Sequence, residues 1–281
     1  MVHMYNIVKK EKLTPQVTLM EINAPLVAKK AEPGQFIIFR IDEDGERIPL
    51  TIADYDRDKG IVTIIFQEVG KSTKKLGAMD AGQGILDFVG PLGKPSHLDG
   101  VKKVAVIGGG LGTAIAYPQA KKLKSLRVQV DAIIGFRNKD SIILEKEMTA
   151  ASSRLFVTTD DGSNGNKGFV TDTFKKLLSE GKIYDLVIAI GPLIMMKAVC
   201  ELTREAEIKT VISMNSIMVD GTGMCGCCRL TVGGKIKFAC VDGPDFPGHE
   251  VDFDEAISRQ DIYRQEERLS LERHECRLGK N

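Results

Sequence analysis

The 281-residue chain contains 43% hydrophobic and 27% charged residues, an ordinary globular composition that is long enough for two domains. Its 39 basic and 38 acidic residues nearly cancel, which argues against a nucleic-acid or membrane-surface partner. No apolar run approaches the roughly 20 residues of a membrane helix. The N-terminal sequence MVHMYNIVKKEKL lacks the apolar stretch of a secretory signal, so we expect a cytoplasmic protein.

The first hundred residues predict short strands separated by turns. The strand segments are YNIVKKEKL, QVTLMEINA, QFIIFRI and GIVTIIFQEV, and the turns between them include Glu32-Pro33-Gly34 and Asp58-Lys59-Gly60. Short strands at this spacing are typical of an antiparallel barrel. The segment from Gly90 to Gly100 is rich in glycine and proline and marks the end of the barrel, which we predict over residues 1–98.

Strands and helices alternate in the next part of the chain. We predict strands at 103–108, 128–136, 154–159, 185–191 and 210–215. We predict helices at 113–126, 141–150, 169–181 and 193–207, the first of them kinked at Pro118. This alternation predicts a doubly wound parallel α/β domain over residues 99–217.

A cysteine-rich segment follows the α/β domain, and we predict a metal-binding module over residues 218–250. Four of the six cysteines fall between Cys225 and Cys240, which in a reducing compartment indicates metal or redox chemistry. The spacing Asp220-x4-Cys225-x2-Cys228-x11-Cys240 resembles a plant-type [2Fe–2S] loop with aspartate at its first position. Several glycines let the backbone bend around a cluster or turn a hairpin: Gly221, Gly223, Gly226 and the pair Gly233-Gly234.

Two alternatives for this segment stay open at this point. A tetrahedral zinc site, or an all-thiolate cluster, would use Cys225, Cys227, Cys228 and Cys240. Adjacent cysteines such as Cys227 and Cys228 are awkward ligands, because their side chains tend to diverge from one metal. Asp220 could also cap a turn without binding metal. The spacing favours a [2Fe–2S] cluster over zinc.

A glycine loop, VAVIGGGLGTA, joins the first strand of the α/β domain to its first helix. Glycines there let the backbone approach a pyrophosphate at the positive end of the helix. Thr113 replaces the last glycine of the usual fingerprint, and the second strand ends in Phe136-Arg137 without an acidic residue, so an ordinary FAD fingerprint is not predicted. Later strand ends at the same edge strengthen a nucleotide site, although each one alone could be a solvated loop or a plain turn. The candidate residues are Gly108, Gly109, Gly110, Gly112, Thr113, Arg137, Asp160, Gly191 and Pro192.

Three motifs in the barrel, together with the order of the domains, carry a resemblance to a known family. They are Arg47-Ile48-Pro49-Leu50-Thr51, Gly70-Lys71-Ser72-Thr73 and Gly90-Pro91-Leu92-Gly93. A barrel followed by an α/β domain resembles the ferredoxin–NADP reductase superfamily, in which an Arg-x-Tyr-Ser motif holds FAD. The resemblance implies that Arg47 meets the FAD pyrophosphate and that Thr51 approaches flavin N5 as the catalytic residue. Pro49 and Leu50 occupy the region of the missing tyrosine.

The second barrel motif has a local interpretation as well. Under the resemblance, Gly70, Lys71, Ser72 and Thr73 hold FAD phosphate. Ser72 or Thr73 could instead cap a helix, and Arg47 could be a surface cation.

The Arg-x-Pro-Leu-Thr variant resembles one branch of the superfamily, and this resemblance covers nearly the whole chain, including DFPGHEVDFDEA. The branch contains the electron-transfer subunits of dihydroorotate dehydrogenase B and the small subunits of NADH-dependent reduced ferredoxin:NADP oxidoreductase, also known as sulfide dehydrogenase subunits. Both carry FAD and a C-terminal [2Fe–2S] cluster. The dihydroorotate branch has cysteine at the first ligand position and the other has aspartate. The resemblance therefore implies Asp220, Cys225, Cys228 and Cys240 as ligands and favours the second group.

This resemblance implies an enzyme subunit that exchanges hydride with NAD(H) through FAD and passes single electrons to a larger subunit. That partner carries another FAD and [4Fe–4S] clusters, and the heterodimer bifurcates electrons between NADH, NADPH and ferredoxin. An NAD-linked dihydroorotate dehydrogenase subunit and a non-catalytic, zinc-bearing adaptor remain the alternatives. Arg137 stands where an NADP enzyme would bind a 2′-phosphate, so the preference for NAD rests on the resemblance.

The last segment, residues 251–281, is charged and predicted to be helical, with a thin apolar face of Phe253, Ile257, Tyr263 and Leu269. It could be a solvated surface helix or an arm that docks on a partner subunit.

Overall fold

The computed structural model describes residues 5–278, so the first four residues of the predicted barrel and the last three of the predicted helical tail lie outside the described part of the chain. The fold class is confirmed. An antiparallel barrel comes first, a doubly wound parallel domain follows, and a small hairpin and two helices end the chain. No helix within residues 5–278 is both long and apolar enough to cross a bilayer.

The barrel is a seven-stranded antiparallel sheet in the order β6-β1-β2-β5-β4-β3-β7. Its interior is filled by alternate residues of these strands, among them Ile37, Phe39 and Phe66, which are fully buried. The short helix α1, which the sequence did not predict, covers part of this core with Val27 and Ala28. The elements are β1 (Tyr5–Thr14), β2 (Val17–Asn23), α1 (Pro25–Lys30), β3 (Phe36–Arg40), β4 (Ile48–Asp56), β5 (Ile61–Gln67), α2 (Lys71–Ala78), β6 (Gly84–Ile85) and β7 (Asp87–Leu92).

The second domain is a parallel sheet with helices on both faces. Alternate residues of its first strand point to opposite faces, so Val104 and Val106 pack beneath α3 while Ala105 and Ile107 pack beneath α5 and α6. The elements are β8 (Lys103–Gly109), α3 (Gly112–Ser125), β9 (Gln129–Phe136), α4 (Glu145–Ala151), β10 (Arg154–Thr159), α5 (Val170–Ser179), β11 (Leu186–Ile190), α6 (Leu193–Glu205) and β12 (Thr210–Ser213).

Two helix predictions in this domain differ from the structure in detail. The helix predicted over 141–150 begins only at Glu145, because Ile142 is extended and Leu144 has a left-handed backbone with φ of 55°. This conformation buries Ile143 and Leu144 in the core before the helix starts. Helix α3 is a single helix that continues through Pro118 to Ser125.

The C-terminal part returns to the α/β sheet after leaving it. The hairpin of β13 (Arg229–Val232) and β14 (Lys235–Phe238) turns at Gly233-Gly234, as predicted. The short helix α7 (Ala239–Asp242) leads to β15 (Asp245–Pro247), which pairs antiparallel with β12 at the sheet edge. The predicted cluster module therefore includes an edge strand of the second domain, a role that three residues are too short to reveal in the sequence.

The predicted tail consists of two helices that differ in burial. Helix α8 (Phe253–Gln260) buries Phe253 and Ala256 in the core shared with α6, so this part is not a detached arm. Helix α9 (Arg264–Leu278) approaches α2, and its described side chains are mostly exposed.

A buried carboxylate connects the segment between the two domains to the α/β domain. Both Ser96, in the segment between the domains, and Gln119 of α3 donate to Oδ2 of Asp245, at 2.6 and 3.2 Å. Oδ1 of Asp245 is also buried and has no partner among the described residues. Burial raises the pKa of Asp245 to about 6. Three distant segments thus meet at one carboxyl group.

A second buried carboxylate lies near the amino ends of the parallel strands, whereas the glycine loop lies at their carboxyl ends. Asp131 of β9 accepts hydrogen bonds from Arg154 Nε at 2.9 Å and from the Tyr184 hydroxyl at 2.8 Å. Burial by itself would raise the pKa of Asp131, but these two donors together lower it. The sequence contained one indication of this arrangement, since an aspartate within the apolar strand VQVDAIIGF requires a buried partner.

Candidate cofactor sites

The first half of the cysteine loop is organised around Asp220. Its two carboxylate oxygens accept the backbone N–H groups of Thr222 and Cys225, each at 2.8 Å. These hydrogen bonds, led by that from Thr222, hold the pKa of Asp220 below its usual range. The carboxylate therefore closes the turn, as one of the alternatives predicted, and it stands beside Cys225, as the ligand interpretation requires.

The second half of the loop contains a buried pair of thiols. Cys228 lies just before β13 and Cys240 lies in α7, and the hairpin between them brings their sulfur atoms to 3.3 Å. The backbone N–H of Cys240 points at the sulfur of Cys228 at 3.4 Å. Both residues are only 2% exposed. Burial raises the pKa of the Cys240 thiol to about 12 in the absence of a cation.

Cys225 and Cys227 form the exposed side of the loop. The backbone N–H of Cys227 is the main cause of a lowered pKa at Cys225, which favours the thiolate that metal binding requires. Contact with Cys225 raises the pKa of the Cys227 thiol. The two thiols therefore interact directly with each other on this side of the loop.

Within residues 5–278, no three of these donors already surround one point as a preformed metal site. They stand as two groups, Asp220 with Cys225 and Cys228 with Cys240. Three thiols and a carboxylate are chemically suited to iron, and positive φ angles at Gly221, Gly223 and Gly226 give the loop the curvature that the sequence predicted. The donor set therefore fits an iron–sulfur cluster.

The cysteine loop lies directly against the barrel. Gly221, at φ of 74°, packs so closely on Ile38 and Leu92 that a side chain there would overlap Ile38. Arg47 Nε donates to the carbonyl oxygen of Val219 at 3.1 Å, and Arg47 Nη2 donates to that of Asp220 at 3.3 Å. The sequence analysis gave Arg47 two possible roles, an FAD ligand or a surface cation, and no sequence signal joins residues 172 positions apart.

The far end of the loop is held from the other side. Arg259 of α8 donates from Nη2 to the carbonyl oxygen of Cys227 at 3.0 Å. One arginine of the barrel and one of α8 therefore hold the two ends of the loop through its backbone. The sequence did not predict this role for Arg259.

The first barrel motif reaches the cysteine loop through Arg47. Pro49, Leu50 and Thr51 lie at the start of β4, each partly exposed, and Thr51 is paired with Phe36 of β3. No hydrogen bond of the described residues engages the Thr51 hydroxyl, which leaves its donor available. Arg47 immediately precedes this strand.

The second motif forms the N-terminus of α2. Gly70 is the N-cap, and its N–H donates to the Thr73 hydroxyl at 3.0 Å, so Thr73 does cap the helix. Ser72 is buried and its hydroxyl donates to the carboxylate of Glu46. A negative group therefore already stands at the positive end of this helix, where the resemblance places phosphate. Lys71 is the first residue of α2.

The glycine loop lies where β8 ends and α3 begins. Gly108 and Gly109 end β8, Gly110 is left-handed with open space beside it, and Gly112 and Thr113 begin α3. Gly112 lies against the carbonyl oxygen of Ile190, where a Cβ would overlap it. The Thr113 hydroxyl is buried without a partner among the described residues.

The other predicted residues of the nucleotide site share this sheet edge. Arg137 follows β9 and is exposed, and the N–H of Asp160, after β10, donates to the carbonyl oxygen of Phe136 at 2.9 Å. Gly191 and Pro192 lie between β11 and α6, with Gly191 against Gly109. The parallel order β10-β9-β8-β11 places all four strand ends side by side, and an open α/β sheet binds its ligand at this edge.

Comparison with known proteins supports this arrangement. Residues 215–252 match the model of the iron–sulfur cluster binding domain of dihydroorotate dehydrogenase B. A Thermotoga maritima protein named as a homologue of the dihydroorotate dehydrogenase B (NAD(+)) electron transfer subunit is 48% identical over 95% of this chain and 94% of its own. An uncharacterized Clostridium beijerinckii protein is 54% identical over 94% of this chain and 92% of its own.

Solved structures agree with these relatives. A chain of an NADH-dependent reduced ferredoxin-NADP oxidoreductase, described in a study of flavin-based electron bifurcation, has a TM-score of 0.92 and 46% identity, over 96% of this chain and 98% of its own. A Plasmodium falciparum ferredoxin-NADP+ reductase shares the fold alone, with a TM-score of 0.59 and 16% identity over 74% of this chain and 94% of its own.

The barrel, the α/β domain and the cysteine loop together form a ferredoxin–NADP reductase-like fold with an added iron–sulfur module. The chain belongs to the family of dihydroorotate dehydrogenase B electron-transfer subunits and their homologues. It is an electron-transfer subunit of a flavin and iron–sulfur oxidoreductase that contains a further, larger subunit.

Proposed function

We propose that this subunit exchanges hydride with NAD(H) at FAD and passes single electrons through a [2Fe–2S] cluster to a larger flavin and iron–sulfur partner. The complex is an electron-bifurcating NADH, NADPH and ferredoxin oxidoreductase. FAD is assigned to the barrel of residues 1–98, the nicotinamide nucleotide to residues 99–217 and the cluster to residues 218–250, with residues 251–281 as the helical end. The observation that carries the proposal is the pair of hydrogen bonds from Arg47, in the flavin motif, to the carbonyls of Val219 and Asp220 in the cysteine loop. The two cofactor sites therefore adjoin.

The choice of physiological reaction is supported by the bifurcating relative, which aligns over nearly the whole of both chains. Asp220 supports it as well, because the resemblance of the sequence places aspartate at the first ligand position in that group and cysteine in the dihydroorotate group. A dihydroorotate-linked role remains the second candidate, since residues 215–252 match the cluster domain of those enzymes.

Each group of residues has an assigned task. The Arg47 guanidinium, with its remaining donors, and the Gly70–Thr73 turn at the start of α2 bind the FAD phosphates. Pro49 and Leu50 shape the wall beside the flavin ring, and Thr51 directs its available hydroxyl toward the flavin N5 edge. When bound, FAD would supply the division of a two-electron hydride into single electrons, which a [2Fe–2S] cluster accepts one at a time.

The nucleotide edge of the sheet orients the nicotinamide. Open space at Gly110 and the positive end of α3 suit a pyrophosphate, and Gly108, Gly109, Gly112 and Thr113 keep the backbone close to it. Gly191-Pro192 and Asp160 border the same crevice. Arg137 is exposed at its rim, where it would meet the adenosine ribose.

The proposal is tested by anaerobic purification and analysis of the native protein. We expect bound FAD and, after NADH addition, the EPR signal of a reduced [2Fe–2S] cluster held by Asp220, Cys225, Cys228 and Cys240. Colourless protein with stoichiometric zinc would contradict it. Reconstitution with the two kinds of partner then separates the candidates. Activity with a ferredoxin:NADP partner supports bifurcation, whereas activity only with a dihydroorotate-oxidising partner selects the other role.

A further inference from the structure

Arg47 contacts the cysteine loop through only part of its side chain. Nε and Nη2 donate to the carbonyls of Val219 and Asp220, which leaves the Nη1 donors and one of the Nη2 donors without a partner among the described residues. A guanidinium has five N–H donors in a fixed plane, so it can hold two acceptor groups on different edges at once. The contact with the loop therefore does not compete with an anion on the remaining edge.

Arg47 contacts the part of the loop that carries the candidate ligand Asp220. The carbonyl of Asp220 belongs to the residue whose carboxylate orders the turn to Cys225. Next to it, Gly221 lies on the barrel residues Ile38 and Leu92. The barrel thus fixes residues 219–221 by one packed glycine and one half-buried arginine.

We propose that Arg47 is a positioning residue that couples flavin binding to retention of the iron–sulfur cluster. This inference rests on the proposed function, because it takes the flavin phosphates as the anion on the remaining edge of Arg47. Ordering the Arg47 side chain costs conformational entropy. Once one cofactor has ordered this side chain, the other cofactor binds without that cost. Each cofactor therefore makes the other bind more tightly, and the factor is the same in both directions.

The loop also offers a matched control. Arg259, a residue of α8, donates to the carbonyl oxygen of Cys227 at 3.0 Å, at the opposite end of the loop from the Arg47 contacts. Its loss removes a similar hydrogen bond to the loop backbone but no contact with the flavin motif. Arg259→Lys therefore reports what simple loosening of the loop does.

The test measures iron release to a chelator from the full-length, cluster-loaded protein, with and without saturating FAD. In the wild type we expect FAD to slow release by about fivefold to 150-fold, the ordinary range of coupling between sites. In Arg47→Lys, which keeps the charge but loses the planar fork, we expect faster release without FAD and almost no effect of FAD. Saturation of the variant is established beforehand by titration of flavin fluorescence.

Arg259→Lys should release iron faster in both states and keep the wild-type ratio. The reciprocal measurement compares the FAD affinity of cluster-free and cluster-loaded protein. Removal of the cluster should lower the FAD affinity of the wild type and leave that of Arg47→Lys unchanged. Arg47→Gln serves as the second variant if the lysine variant does not fold.

The inference is overturned if Arg47→Lys keeps the wild-type ratio, if FAD speeds iron release, or if both arginine variants lose the FAD effect equally. A wild-type protein that binds neither flavin nor iron is a different result, because it contradicts the proposed function itself.

Discussion

The sulfur atoms of Cys228 and Cys240 lie 3.3 Å apart, buried side by side although the β13–β14 hairpin separates them in the chain. This is too long for a disulfide, and both residues are free thiols. Two buried thiols in contact suit a shared inorganic partner. Both candidate ligand sets also contain Cys225, and they differ in whether Asp220 or Cys227 supplies the fourth ligand, which mutation can resolve.

The role of Asp220 is tested with three substitutions. We expect Asp220→Cys to keep a cluster with an altered spectrum and reduction potential, because a thiolate replaces an oxygen ligand. Asp220→Ala should weaken the cluster, since it also removes the acceptor for the N–H groups of Thr222 and Cys225. Asp220→Asn keeps one acceptor for the turn but no anionic ligand. EPR spectra of the reduced proteins are the measurement, and unchanged spectra in the cysteine and alanine variants would show that Asp220 is not a ligand.

Cys227 separates the two possible ligand sets. We expect Cys227→Ser to retain iron and sulfide at the wild-type stoichiometry, because its neighbour Cys228 already faces Cys240 and adjacent side chains diverge. Cys228→Ser is the matched control and should lose the cluster. Iron and acid-labile sulfide analysis of both variants provides the measurement. Loss of the cluster in Cys227→Ser would favour the all-thiolate set instead.

We expect Glu46 to lower flavin affinity. Its carboxylate accepts the hydrogen bond of the Ser72 hydroxyl at the positive end of α2, where it would repel a phosphate. Glu46→Gln removes one negative charge near the phosphate position, which at hydrogen-bonding distance in water corresponds to about 1 kcal/mol, or roughly fivefold in affinity. FAD titration should show tighter binding in this variant, with a smaller gain at high salt. Glu43→Gln, in the same exposed segment, should leave the affinity unchanged. Weaker binding in Glu46→Gln would mean that Glu46 orients Ser72 for the flavin.

Asp245 should make the protein less stable as the pH rises. Its pKa is raised to about 6 in the folded state, above the usual value near 4, so the folded form holds a proton that the unfolded chain has released. The contribution of Asp245 to stability is therefore greatest below pH ~4 and falls as the pH rises through the interval to ~6, by at most about 3 kcal/mol.

Asp245→Asn should remove this pH dependence and stabilise the protein at pH 7, because the amide oxygen still accepts from Ser96 and Gln119. Urea unfolding at pH values from 4 to 7 gives the free energies. Asp245→Ala is the control, and it should destabilise at every pH because the partly buried Ser96 hydroxyl loses its acceptor, while Gln119 keeps only its hydrogen bond to Ser96 Oγ at 2.7 Å. A wild type and an asparagine variant with parallel pH profiles would disprove the assignment.

The sequence predicted those parts of the fold that depend on local periodicity. Alternating apolar residues located the barrel strands, and the strand–helix rhythm located the parallel sheet. The prediction failed where tertiary contacts decide the conformation of a few residues. Ile143 and Leu144 are buried in the core, so α4 begins only at Glu145, and Asp245–Pro247 form an edge strand. Such short segments take their conformation from neighbours that are distant in the chain.

The candidate site divides in the same way. Cys225, Cys228 and Cys240 could be proposed as ligands from the sequence because metal ligands have a characteristic spacing within one loop. The contacts of Arg47 with Val219 and of Arg259 with Cys227 were not, because each joins elements that meet only after folding. The pairing of Ser72 with Glu46 is of the same kind.

The pairing of Ser213 with Asp245, which joins β12 to β15, has a consequence for how the chain could be rebuilt. Everything between these two residues, including all four clustered cysteines, leaves the sheet and comes back to the neighbouring position. The segment is thus an insertion closed at its base, and a short hairpin turn would be enough to reconnect the chain after its excision. The cysteine loop and its hairpin are in that sense a module inserted at the edge of the α/β sheet.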